Sequence, residues 1–75
     1  MSNADTLYRK GCVLWDRRRY SEALQAANQA IALDPTQIRA YSLKMTTLSY
    51  MGLGEGEEAK QADAQFQQLV ETLKM

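Results

Sequence analysis

Residues 7–35 read Leu7-x2-Lys10-Gly11-x2-Leu14, then Tyr20-x2-Ala23-x3-Ala27-x2-Ala30-x4-Pro35. Leu7, Gly11 and Leu14 fall at i, i+4 and i+7, one face of a helix, with Tyr8 and Trp15 on its flank. They predict a first helix over residues 4–18. Arg17-Arg18-Arg19 interrupts the pattern. A second stripe follows: Ala23, Ala26, Ala27, Ala30, Ile31 and Leu33. Ser21 is placed to cap this second helix, and Glu22 lies in its first turn, where negative charge meets the positive end of the helix dipole. Asp34-Pro35 ends it, because proline disfavours helical geometry in the residue before it. The alanines at 23, 27 and 30 and the bare backbone of Gly11 let the two helices cross closely.

The pattern then restarts. Thr36 is placed to cap a third helix reaching about Met51, with Ile38, Tyr41, Met45 and Leu48 as its core face. Tyr41, Met45 and Leu48 stand 34 residues after Leu7, Gly11 and Leu14. The turn Gly52-Leu53-Gly54-Glu55-Gly56 is two residues longer than its equivalent, so Ala59 takes the place of Ala23 at a shift of 36. A fourth helix is predicted over about 57–73, carrying Ala59, Ala62, Phe66, Leu69 and Leu73 on one face and mainly glutamine and charge on the other.

Seventy-five residues make one small domain, 45% of them apolar, with one proline and four glycines, the composition of an ordered helical chain. A chain this short buries only about 60% of the surface its unfolded form exposes, so its stability is marginal. Nine basic residues balance nine acidic ones, which gives no global field for nucleic acid or an anionic membrane. No stretch approaches the roughly 20 apolar residues that span a bilayer. A lone cysteine, Cys12, excludes an internal disulfide and a multi-cysteine metal site, and suits a reducing, cytoplasmic setting. Met1-Ser2-Asn3 is expected to be a disordered or tag-derived start, leaving one domain over 4–75.

A 34-residue unit of two antiparallel helices, with small residues at the crossing and a closing proline, resembles the tetratricopeptide repeat. Gly11, Tyr20, Ala23, Ala30 and Pro35 match its pattern as they stand. Leu7, Lys10, Leu14 and Ala27 depart from it, and the second copy has Met45 for the glycine and no closing proline. The resemblance implies an all-α fold of four helices. It would form an α-solenoid fragment, with repeat one over about 4–37 and a degenerate repeat two over about 38–73. It also implies a non-enzymatic module that grips a peptide or partner helix on the inner, concave surface lined by the first helix of each pair.

Arg39, Leu43, Thr46 and Tyr50 form a stripe on the third helix roughly opposite its expected core face, so Leu43 and Tyr50 are expected to face water. The matching region of the first helix offers Tyr8, Arg9, Cys12 and Trp15. Together these eight residues are the candidate partner-binding surface, with aromatic anchors and mixed charge. Tyr8 and Trp15, at flank positions, read equally as core. Some members of the resembled family clamp a terminal carboxylate with lysine, asparagine and arginine. Tyr8, Cys12 and Leu43 stand where that clamp would need its lysine and asparagines, so it is not expected here.

Other chemistry finds little footing. The chain has no histidine, so no Ser-His or Cys-His dyad forms, and the ligands for zinc are too few. No cofactor is expected. Gly52-x-Gly54-x-Gly56 follows a helix instead of a strand and lacks phosphate-cradling geometry. Arg17-Arg18-Arg19 beside Trp15 and Tyr20 is too thin a footprint for RNA. Two function classes remain: a protein- or peptide-binding module, and a structural module that assembles into a homodimer or longer stack without an external ligand.

Overall fold

The computed structural model describes residues 3–74, and the expectation for Met1 and Ser2 lies outside them. Asn3, by contrast, opens the first helix. Four helices follow in order: α1 (Asn3–Asp16), α2 (Tyr20–Leu33), α3 (Ile38–Tyr50) and α4 (Glu57–Lys74). No strand occurs among the described residues. Each helix packs on the next, and α1 also touches α3, whereas α2 and α4 do not meet. The chain therefore closes on its α1–α3 side and opens on its α2–α4 side, giving a flat slab 37 × 33 × 16 Å.

The expected crossing of small residues is present. Ala23, Ala27 and Ala30 have no accessible surface, and Ala26 is buried with them. A side chain at Gly11 would place its Cβ 2.7 Å from Leu43 Cδ2 and 3.4 Å from Ala26 Cβ. Gly11 is thus where α1, α2 and α3 converge, because a bare backbone there leaves a socket for the Leu43 side chain.

That contact corrects the reading of α3. Leu43 is 9% exposed and does not face water. The buried residues of α3 are Ala40, Tyr41, Leu43, Thr47 and Leu48, while Ile38 and Met45 are only half-buried. A helix in the middle of a stack has neighbours on two sides. Leu43 is turned toward α1, whereas Met45 shares a cleft with Ala59 and Lys60 of α4. Thr47 is buried without penalty because its Oγ1 donates to the Leu43 carbonyl at 2.7 Å.

The helix ends also differ from the expected caps. α2 begins at Tyr20, with Arg19 as its N-cap and no side-chain capping bond; Glu22 instead pairs with Arg19 at 3.0 Å. Gln37, not Thr36, precedes α3. Thr36 turns back, and its N–H and hydroxyl both donate to Asp34 Oδ1, at 3.0 and 2.6 Å. This local turn lets Asp34, Pro35 and Thr36 reverse the chain.

α1 stops at Asp16, two residues short of the expected end, in a Schellman turn. Arg18 N–H donates to the Trp15 carbonyl and Arg19 N–H to the Leu14 carbonyl, both at 2.9 Å. Arg18 adopts φ +62°, the left-handed conformation that such a turn requires. α3 ends in the same way 34 residues later: Gly52 N–H donates to Ser49 (3.1 Å), Leu53 N–H donates to Leu48 (2.7 Å), and Gly52 has φ +79°. The period therefore runs past Leu48 to Leu53, and the two extra residues enter as Gly54 and Glu55.

Two further apolar residues leave the expected core. Leu33 is 57% exposed at the last turn of α2, and Leu73 is 71% exposed near the end of α4. α4 has 18 residues against 13 in α3. At 1.5 Å per residue it is longer by about 7 Å, so its final turn outruns the helix it packs on.

Candidate functional site

α1 and α3 run parallel, and their contacts at each end show it. At the start of both helices, Gln37 Nε2 donates to Asp5 Oδ1 at 2.7 Å. At their far ends, Trp15 meets Tyr50 edge to face, with ring centroids 5.1 Å apart and planes at 85°. The seam between them is floored by Leu43 at Gly11.

Six of the eight candidate residues join two clusters along this seam or sit beside it. Near the start, Tyr8 bonds Cys12 through their side chains. That bond, then burial and the charge of Cys12, push the Tyr8 phenol above its ordinary 10.0, while Arg39 across the seam opposes the rise. Tyr8 and Cys12 are half-buried and Arg39 is exposed. At the far end Trp15 is half-buried and Tyr50 is 61% exposed. Arg9 is exposed on α1. Thr46 is exposed on α3, four residues from Tyr50. Leu43 lies beneath the surface and supports it without presenting a side chain to a ligand.

Tyr20 was missed as a site residue. Its ring stacks on Tyr50 (centroids 5.6 Å, 27°) and meets Trp15 at 6.1 Å and 68°. The Trp15 Nε1–H is buried with no oxygen or nitrogen acceptor. The indole ring itself packs beside two tyrosine rings. Trp15, Asp16, Arg18, Tyr20 and Tyr50 line an open depression here. The sequence carried the signal in Trp15 and Tyr20 flanking the arginine run, because a Schellman turn at Arg18 folds the chain back and brings the two rings together. Tyr50 joins them only through the stacking of the second hairpin.

Among the described residues no group of three histidine, cysteine or carboxylate side chains could hold a metal ion, and no helix is long and apolar enough to cross a membrane.

Residues 4–37 match the family model of the tetratricopeptide repeat. The first hairpin and its closing proline thus match one tetratricopeptide repeat, and the four-helix structure is consistent with about two such repeats. Repeats of this family are generally non-catalytic protein–protein interaction modules. No curated protein and no solved structure matches the chain.

Proposed function

We propose that this chain binds an extended peptide or a partner helix along the α1–α3 seam, with Tyr8, Cys12 and Trp15 on one wall and Arg39, Thr46 and Tyr50 on the other. One observation carries the reading: α1 and α3 are parallel and in contact while α2 and α4 stand apart, so the seam lies on the inside of the curve. A concave surface with aromatic side chains at its end provides contact area at low entropic cost, and Arg39 supplies a planar, multidentate donor. Leu43 and Gly11 set the depth of the seam, and Tyr20 holds Tyr50 in place.

The test is selection of peptides from a random library on the immobilised chain, followed by amide chemical-shift mapping of the tightest binder. Expected perturbations cluster on Tyr8, Cys12, Arg39 and Thr46, and Arg39→Ala weakens binding at least tenfold without moving the urea midpoint. Perturbations confined to α4, around Phe66 and Val70, would refute the seam as the site.

A further inference from the structure

We infer that the two end faces of this unit are closed to one another, so that a second copy of the chain does not extend the stack. The junction already inside the molecule shows what extension requires. There, α3 presents Ala40, Leu43, Thr47 and Tyr50, all buried except Tyr50. Leu43 lies against Gly11, Tyr50 lies against Trp15 and Tyr20, and α3 packs on α2, whose alanines are buried. Leu43 fits the socket at Gly11, and Tyr50 closes the aromatic cluster.

In a head-to-tail stack, the incoming α1 would play the part of α3. Its residues at a shift of 34 are Thr6, Arg9, Val13 and Asp16, every one exposed. Arg9 stands where Leu43 supplies the knob, and Asp16 where Tyr50 supplies the ring. The receiving face is changed too. Met45 occupies the position of Gly11, so a side chain stands where the bare backbone received Leu43, and Ser49 replaces Trp15. On α4, at a shift of 36, Asp63 stands for Ala27 and Phe66 for Ala30. Both of those alanines are fully buried, whereas Asp63 is exposed and Phe66 half-buried. The small-residue crossing is kept only in half, with Ala59 and Ala62 buried in the places of Ala23 and Ala26, and the aromatic lock is not reproduced. Val13 keeps an apolar side chain, but between Arg9 and Asp16. Burying Arg9 against Met45 would strip its water, and even an ion pair with Asp63 would be offset by the desolvation of both groups. A second copy therefore does not lengthen the seam, and this conclusion stands whether or not the seam binds a peptide.

Sedimentation equilibrium of the intact chain, up to millimolar concentration, tests it. The expected result is the 8.5 kDa monomer mass, or an association that Arg9→Ala and Asp63→Ala leave unchanged. The triple variant Arg9→Leu, Met45→Ala, Asp63→Ala, each change compatible with a helix, is expected to associate in a concentration-dependent way while its circular dichroism remains helical. A wild-type dimer broken by Arg9→Ala or Asp63→Ala would overturn the inference, as would a folded triple variant that stays monomeric.

Discussion

Replacing Gly11 with alanine should destabilise the protein, and should stabilise it once Leu43 is shortened to valine. In the wild type, alanine adds about 1 kcal/mol of helix propensity over glycine. Its Cβ, however, would lie 2.7 Å from Leu43 Cδ2, roughly 1 Å inside a comfortable carbon–carbon contact. Leu43 is 9% exposed, so its side chain cannot swing into water, and overpacking of this kind costs about 1–3 kcal/mol. The balance is a loss of about 0–2 kcal/mol. Leu43→Val removes the δ carbons and costs about 1 kcal/mol by itself. With the overlap gone, Gly11→Ala should return its full propensity gain of about 1 kcal/mol. Urea unfolding of the four proteins, followed by far-ultraviolet circular dichroism, gives the cycle. The expected coupling is about 1–3 kcal/mol. If the effect of Gly11→Ala is the same in both backgrounds to within about 0.5 kcal/mol, Leu43 does not seat on Gly11, and the packing described for the centre of the molecule is wrong.

Arg18→Gly should stabilise the chain by about 0.5–1 kcal/mol in thermal or urea unfolding, because glycine adopts the left-handed φ of +62° without steric cost. Gly52→Ala, at φ +79°, should instead destabilise it by about 1 kcal/mol. Tyr50→Ala removes two ring contacts at about 0.5–1.5 kcal/mol each, so it should lower the urea midpoint and shift Trp15 fluorescence, while Tyr50→Phe keeps both. The Tyr8 phenol titrates above its ordinary value, chiefly through its bond to Cys12. A raised folded-state pKa gives stability that is present below pH 10 and lost as the pH climbs through the folded value. Cys12→Ala should move the Tyr8 step in alkaline ultraviolet titration back toward 10, with Tyr8→Phe identifying that step.

Much of the site was legible one residue at a time, and its assembly was not. Tyr8, Cys12, Arg39, Trp15 and Tyr50 were all readable as candidates from spacing and side-chain type. That Tyr8 answers to Arg39, and Trp15 to Tyr50, depends on α1 and α3 lying parallel and in register, a relation between residues about 30 apart in the chain. Leu43 was misread because periodicity finds the most apolar stripe of a helix and assigns the rest to water. Ser21 and Thr36 were misread as caps because several short polar residues near a helix start compete for the role, and backbone geometry chooses among them.

By itself the sequence determined four helices, their pairing into hairpins and the close crossing at Gly11, since these rest on short-range period, small side chains and a single proline. It also determined the 34-residue repeat. Only the tertiary structure decided which faces meet. α3 is buried on two sides because it has neighbours on two sides, and that turned Leu43 from a surface residue into the knob at the centre of the molecule. The same geometry left Arg9, its counterpart on α1, in water. Equivalent positions in two repeats thus have different surroundings in this structure, because Leu43 packs against the hairpin before it and Arg9 meets none.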